Sequence, residues 1–374
     1  MASGQDIIPS ELVRPWTPIF SNQLNQNADI TEVKFVASYC WFNPDQSVGP
    51  PENPTLVIPG CIPRLRSNLK FPLTCEADET PCVDLNSTQV RHKDLLQPLF
   101  LSVKMCEPEF EFTEMDVICD SSKLRLLIEW CKKPKTFSMD AEMLRDRTMV
   151  LYAFENKKDY NQHNVNSFRR DFHRKITDLP TGWDHTFGNY RIISYRYADL
   201  KMLVRSPQFV RDETDNESFD NPAWLSEPEG TFNGLKFIRS GKIEPQKNLV
   251  KLQYTAPKKA LKKAEIWHKL YFSQIPLLLE AYRREPVGRK ADFQSIDRLT
   301  FRNDFEYATS DARQERNMLL QMLHAMRKLL LEERENGNSK LSFHFKKGSS
   351  TIQVFTCNFP SQLEGWNCNI AREQ

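Results

Sequence analysis

The second half of the chain interleaves strand and helix patterns, and this alternation limits the fold more than any other feature. Leu249–Thr255 (LVKLQYT) alternates as a half-buried strand does. A basic amphipathic helix follows from Lys258 to about Phe272, then an apolar strand over Pro276–Tyr282. Asp311–Glu335 places Met318, Leu319, Met322, Leu323, Met326, Leu329 and Leu330 at helical spacing, a core-facing stripe. Asp311 is a plausible start for that helix and Gly337 a natural stop. Leu341–Phe345 and Thr351–Phe355 flank KKGSS, which reads as a β-hairpin. The order predicts a mixed α/β fold with one sheet packed by helices.

The first half is less regular. Residues 43–83 carry eight prolines (44, 50, 51, 54, 59, 63, 72 and 81), which forbid long helices and predict extended loop broken by a short strand, Thr55–Ile58. Residues 145–155 read as a strand. Asn166–Lys175 has helical character, with Phe168 and Phe172 on one face. Asn189–Arg205 reads as two strands around a turn near Ala198–Asp199. Between Arg205 and Gly230, seven acids against two arginines, with three prolines, predict an exposed acidic loop over 207–230. The sign then reverses: residues 236–290 hold 14 Lys/Arg and four Glu, a local charge of +10.

Lys plus Arg total 51 against 49 Asp plus Glu, which excludes a histone-like or strongly acidic chain. Hydrophobic residues at 40% supply a core and exclude an intrinsically disordered chain. No apolar run is long enough for a membrane-spanning helix. The opening MASGQDIIPSELVRPW lacks a basic and an apolar signal region, so a secreted protein is not expected. Nine cysteines without a CxxC pair point to reduced thiols. Cys75, Cys82 and His92 have poor zinc spacing.

Phosphate-cradling loops are absent, since neither GxGxxG nor GxxxxGK[ST] occurs, and the GxSxG elbow is missing too. His163 and His173 lack a third ligand and read as surface residues. On the Leu249–Thr255 strand, Lys251 and Gln253 lie two apart on one face. That is the spacing of an E-x-K metal-nuclease pair, but a lysine and a glutamine cannot hold Mg²⁺.

SYCWFNP (38–44), PTLVIPGCIP (54–63), RIISYRYADLKMLVR (191–205) and YFSQIPLLLEAY (271–282), in this order, resemble a group of fungal proteins distantly related to the DXO/Rai-type RNA 5′-end decapping nucleases. The resemblance spans roughly residues 30–357. It implies a mixed α+β fold of the PD-(D/E)xK nuclease type, with central sheets packed by helices. The implied layout is an N-terminal extension over 1–30, one domain over 31–357 with the 207–230 insertion, and a C-terminal tail over 358–374. Active members use acids and a lysine to hold two divalent metals, Mg²⁺ or Mn²⁺, and remove incomplete caps or degrade RNA from its 5′ end.

Transferred position by position, the family's E-x-K falls on Lys251 and Gln253. Its helix-borne glutamate falls on His173, and its E-x-D on Pro207 and Phe209. A rival register places Glu213 and Asp215 in the E-x-D slot. The expectation is therefore a pseudonuclease without a metal cofactor. Arg169, Arg170, Arg205, Arg239, Lys251, Lys258, Lys259, Lys262 and Lys263 would line an RNA groove for single-stranded 5′ ends; alternatively, the basic helix is a solvated face. Two alternatives remain open. One is an active Mg²⁺- or Mn²⁺-dependent enzyme with a relocated site at Glu213 and Asp215, helped by Asp171 or Asp212. The other is a scaffold that binds and stabilises a 5′→3′ exoribonuclease. Nuclear or cytosolic residence rests on the resemblance and on the thiol chemistry. Trp183, Tyr190 and Tyr195 stack on bases or sit in the core; Trp41, Phe42 and Trp130 read as core or sheet-edge cover.

Overall fold

The structure, a computed structural model, describes residues 11–20, 28–42, 55–78, 95–145, 147–153, 167–179, 183, 186–208, 210–212, 229–255, 263–301, 310–357, 361 and 363. In chain order its elements begin with β1 (Glu11–Trp16), β2 (Ile30–Phe42), β3 (Thr55–Gly60), β4 (Arg64–Leu65), β5 (Leu73–Glu76) and α1 (Gln97–Cys106). Next come β6 (Val117–Asp120), α2 (Ser121–Lys132), β7 (Phe137–Leu144), β8 (Thr148–Tyr152), α3 (Arg169–Ile176) and β9 (Thr177–Asp178). The centre holds β10 (Thr186–Tyr197), β11 (Leu200–Gln208), β12 (Val210–Arg211), β13 (Gly230–Phe232) and β14 (Leu235–Gly241). The chain closes with β15 (Leu249–Thr255), α4 (Lys263–Ser273), β16 (Leu277–Arg283), β17 (Lys290–Thr300), α5 (Ser310–Glu335), β18 (Lys340–Phe345) and β19 (Ile352–Thr356). Among the described residues no helix is long and apolar enough to cross a membrane.

Two sheets form, where the sequence suggested one. The larger has 12 strands in the order β1-β19-β18-β7-β8-β6-β11-β10-β2-β3-β14-β13. The smaller has seven, β5-β17-β16-β15-β12-β4-β9. Both are mixed. In the smaller sheet α4 is the crossover that lets β15 and β16 run parallel, while β16 and β17 are antiparallel. The chain passes between the sheets where β11 ends at Gln208 and β12 starts at Val210, which pairs with Val250 of β15.

Alternation along the strands builds the layers. One face of the large sheet, with Tyr39, Ile118 and Leu203, packs on Leu99, Phe100 and Val103 of α1. The opposite face, with Ile193, Met202 and Val204, packs on α2, α4 and α5 and reaches Leu249 and Leu278 of the small sheet. Phe168, just before α3, with Phe172 and Ile176 of α3, covers the far face of the small sheet, against Val250, Leu252 and Leu279. The α5 stripe is core as expected, with Leu319, Met322, Leu323 and Met326 fully buried; Met318 is half-buried.

Other expectations shift. The strand read over 145–155 is the return arm of a hairpin: β7 and β8 turn around Arg145, which takes a positive φ. β7 went unread because it carries Asp140 and Glu142, both buried. Pro207, Gln208, Val210 and Arg211 are not exposed loop, since Pro207 and Gln208 end β11 and Val210–Arg211 forms β12. The described part of the basic helix starts at Lys263.

Candidate functional site

The polar residues of β15 face the large sheet. Val250 and Leu252 point into the α3 core, so Lys251 and Gln253 emerge on the opposite face, toward α2, α4 and β11. Lys251 Nζ donates to the Pro207 carbonyl at 3.2 Å. Lys269 of α4 donates to Gln253 Oε1 at 3.3 Å, and Gln253 donates to the Tyr254 carbonyl. Burial first, then the adjacent Arg125 and Lys269 charges, pull the Lys251 ammonium down to about 7. Lys269 is lowered for the same two reasons, burial and Arg125, with Glu265 opposing. Arg125 of α2 is lowered by burial against the opposing pull of Glu129 and Glu265. The cleft thus gathers three cations whose charges weaken one another.

On β11 the face is set by register. Met202 and Val204 join the core between the sheets, and Leu203 joins the core under α1. Continuing the alternation, Ser206 and Gln208 point toward the small sheet, paired across β10 with Arg191 and Asn189. Ser206 Oγ and both Gln208 amide atoms are buried and have no hydrogen-bond partner among the described residues. Buried polar groups are normally satisfied, so such an exception marks a place where solvent or a ligand belongs. Nearby, Glu244 accepts from Asn248 Nδ2 at 2.7 Å and pairs with Arg211 at 3.4 Å, while its main-chain carbonyl accepts from Arg191 Nη1. Arg191, Arg211, Glu244 and Asn248 are all buried, and burial lowers Arg191 to about 10 against the pull of Glu244.

This arrangement corrects several residue assignments. Pro207 meets the cleft only through its carbonyl, because its side chain belongs to the other face of β11; the side chains facing inward are one residue out of register, Ser206 and Gln208. His173 sits on α3, which packs on the small sheet's face opposite Lys251 and Gln253. Arg205 does not line a groove. Its guanidinium is buried, with Nε and Nη2 donating to the two Asp120 carboxylate oxygens at 2.6 and 3.0 Å. Nη1 donates to Tyr39 OH and the Leu95 carbonyl. Arg239 lies on β14, remote in the large sheet, beside Glu229. Arg169 and Arg170 are exposed at the start of α3, with Arg169 over the Tyr254 ring at 5.7 Å. Trp183, Tyr190 and Tyr195 are buried, so they are core and not base-stacking platforms. Trp41, Phe42 and Trp130 are also core.

Phe209, Glu213, Asp215, Lys258, Lys259 and Lys262 lie outside the described residues, as do Cys82, His92, His163 and the 213–228 stretch. Lys263 opens α4. The two helper acids of the relocated-site reading are both engaged: Asp171 takes Arg174, Lys175 and the Glu76 amide, and Asp212 pairs with Arg298. Sequence reasoning missed Arg125, Lys269, Ser206 and Gln208. Alternation counted from Met202 would have found the last two; nothing local marks the first two.

The comparisons agree with this architecture. S. pombe Rai1 superposes with a TM-score of 0.54 at 11% identity, covering 94% of this chain and 97% of that one. K. lactis Dxo1, solved in complex with manganese, gives 0.55 at 11% identity, covering 90% and 94%. A mutant S. pombe Rai1 in complex with 3′-FADP gives 0.51 at 12%, covering 89% and 96%. No curated protein matches. The chain has the fold of these Rai1 and Dxo1 structures, and the manganese of the Dxo1 complex raises the question of whether the present residues fit a metal. They do not: Lys251, Gln253, Ser206 and Gln208 offer no carboxylate, and hard divalent cations are anchored through at least one or two. Among the described residues no three His, Cys, Asp or Glu side chains gather as a metal-holding group. The model of a family described as Domain of unknown function (DUF8563) matches residues 22–362, and the chain belongs to that family.

Proposed function

We propose that this protein is a pseudonuclease that holds single-stranded RNA, phosphate first, in the cleft between its two sheets and does not cleave it. The observation that carries this reading is the cluster of Lys251, Lys269 and Arg125 at the meeting of β11 and β15. Cations crowded together in a half-buried cleft repel one another, and an anion relieves that repulsion. A phosphate would also give Ser206 Oγ and the Gln208 amide the hydrogen-bonding neighbour that the described residues do not supply. Support from the fold is that the Rai1 mutant of similar architecture is in complex with 3′-FADP, a phosphate-bearing ligand.

No step of metal-assisted hydrolysis is assigned. Placing a divalent cation about 4 Å from a protonated Lys251 would cost about 4 kcal/mol per unit charge at an effective dielectric near 20. The protein's residues instead bind and orient: Arg125 and Lys269 offset phosphate charge, and Gln253 fixes Lys269. The exposed Arg169, which lies over the Tyr254 ring at the end of β15 and acts on Lys269, extends the positive surface toward the backbone of a bound strand. The sites of action expected are nucleus or cytosol, with no cofactor.

The test is a titration of 3′-labelled single-stranded RNA by fluorescence anisotropy at a series of salt concentrations. Binding whose log affinity falls with log salt at about −0.7 per neutralised phosphate supports the reading. Affinity that ignores salt, or no binding in low salt, removes it.

A further inference from the structure

The hydrogen-bonding groups left open on β11 form a set that a phosphate alone does not complete. Ser206 and Gln208 are 2% and 1% exposed and stand two apart on the strand. Alternation from Met202 and Val204 turns both toward the small sheet, roughly 7 Å apart along the strand. Between them the Pro207 carbonyl accepts from Lys251 Nζ at 3.2 Å, so β15 brings its cation to β11 at this point. Arg191 lies directly opposite Ser206 in the β10–β11 pairing and therefore shares its face. The Arg191 guanidinium is held from two sides, its Nη1 donating to the Glu244 carbonyl at 2.6 Å and its carbon lying 4.4 Å from the Phe35 ring centre. Arg191 Nε, Ser206 Oγ and both amide atoms of Gln208 are buried and have no hydrogen-bond partner among the described residues.

These four atoms differ in what they need. Arg191 Nε only donates, and Ser206 Oγ both donates and accepts. The Gln208 amide presents one donor and one acceptor, whichever way it is turned. A backbone phosphate carries acceptors alone. It can answer Arg191, Ser206 and the Gln208 amide nitrogen, and it leaves the Gln208 carbonyl oxygen open. A buried acceptor without a donor is costly, so a ligand that fits this face brings a donor beside its phosphate. Along a sugar–phosphate backbone the one such donor is the ribose 2′-hydroxyl, which deoxyribose lacks.

Building on the RNA-holding reading, we infer that Gln208 is the residue by which the cleft selects RNA over DNA, its amide carbonyl accepting the 2′-hydroxyl of a nucleotide whose phosphate lies against Ser206 and Arg191. Sugar and phosphate alternate along a nucleic-acid backbone, and Gln208 and Ser206 follow one another on one strand face in the same way. An amide suits this position better than a carboxylate. A carboxylate at 208 would offer acceptors alone and repel the neighbouring phosphate, whereas the amide accepts from the hydroxyl and donates to the phosphate.

The experiment is a fluorescence-anisotropy titration of the full chain with 3′-labelled single strands of one sequence: RNA, its fully 2′-fluoro counterpart, and DNA. The 2′-fluoro strand keeps the bases, the phosphates and an RNA-like sugar pucker, and lacks the hydroxyl donor. RNA is expected to bind about tenfold more tightly than either of the other strands. Gln208→Leu should lower RNA affinity to that of the 2′-fluoro strand and leave the three strands within about twofold of one another. The comparison of strands on the wild-type protein needs no variant, so it decides the matter even where Gln208→Leu fails to fold. Equal binding of RNA and 2′-fluoro RNA overturns the role of Gln208, whether donors on the bases or sugar pucker then set any preference over DNA. A preference for RNA that survives in folded Gln208→Leu overturns it too, and both results leave phosphate holding intact. Absence of binding by all three strands overturns the RNA-holding reading, and the selection with it.

Discussion

Replacing Arg205 by methionine separates a structural arginine from a ligand-binding one. Its guanidinium donates four hydrogen bonds inside the protein, two of them to Asp120 at 2.6 and 3.0 Å. Arg205 is 1% exposed and the Asp120 side chain 23%. Removing one member of a buried pair costs about 3–5 kcal/mol, because the remaining charge stays unpaired. Asp120 can hydrate in part, which places the cost near the lower bound, about 3 kcal/mol. That corresponds to roughly a 150-fold larger unfolding constant. Urea unfolding reads the loss, and anisotropy on the folded variant reads RNA affinity, which should stay within about twofold. The double variant Asp120→Asn with Arg205→Met should recover part of the stability. A tenfold loss of RNA affinity with under about 1 kcal/mol of destabilisation would refute the assignment of Arg205 to the interior.

Four further outcomes follow from the same geometry. Arg125→Gln combined with Lys269→Met should weaken RNA binding and flatten its salt dependence by one to two phosphate equivalents, read by anisotropy. Lys251 is depressed in the folded state, so the unfolded chain binds more protons between about pH 7 and the ordinary lysine range, and stability rises with pH through that window. Lys251→Met should remove this rise and stabilise the protein below pH 7, while weakening RNA binding; thermal unfolding at several pH values checks it. Burial raises Asp140 to about 6, opposed by its hydrogen bond from Ser342 and by Lys123, so the native state holds the extra proton and stability falls as pH rises from about 4 to 6. Asp140→Asn should abolish that fall and raise the melting temperature at pH 7. Gly241→Ala should destabilise the β3–β14 junction by several kcal/mol, since a Cβ there collides with the Gly60 carbonyl and φ is +104°; recovery of soluble protein and a melting curve report it.

Period and breaker signals made the second half of the chain legible. β15 lies where LVKLQYT alternates, and α5 differs from its expected start by one residue, because in both cases the local pattern is also the burial pattern. β7 escaped notice because its acids are buried: Asp140 accepts from Ser342, and Glu142 accepts from Tyr152 and Ser361. A strand pattern read from hydrophobicity cannot anticipate such partners, of which Ser342 and Ser361 lie 202 and 219 residues away in sequence. The second sheet was hidden for a related reason, since its strands β4, β9 and β12 are two residues long and carry no periodicity.

The site divides the same way. Lys251 and Gln253 were visible as a two-residue spacing on a strand, and both emerge on the face toward β11 and α4. Pro207 was one residue off, because β11 faces the cleft with its even-numbered positions, as Met202 and Val204 already indicate. Arg205 looked like one more cation in a basic stretch, whereas its register places it against Tyr39 and Asp120. Arg125 and Lys269 reach Lys251 only through the packing of α2 on α4, a contact between helices far apart in sequence.

The central claim is that the cleft holds RNA and does not hydrolyse it. Its most direct test follows the anisotropy of 3′-labelled single-stranded RNA with saturating protein for one hour after adding Mn²⁺, with the RNA length checked on a gel at the end. A raised anisotropy that stays constant, falls on adding salt and leaves full-length RNA is the predicted result. An initial rise that decays as the RNA shortens would contradict the account and return the acids around Glu213 to consideration as a working metal site.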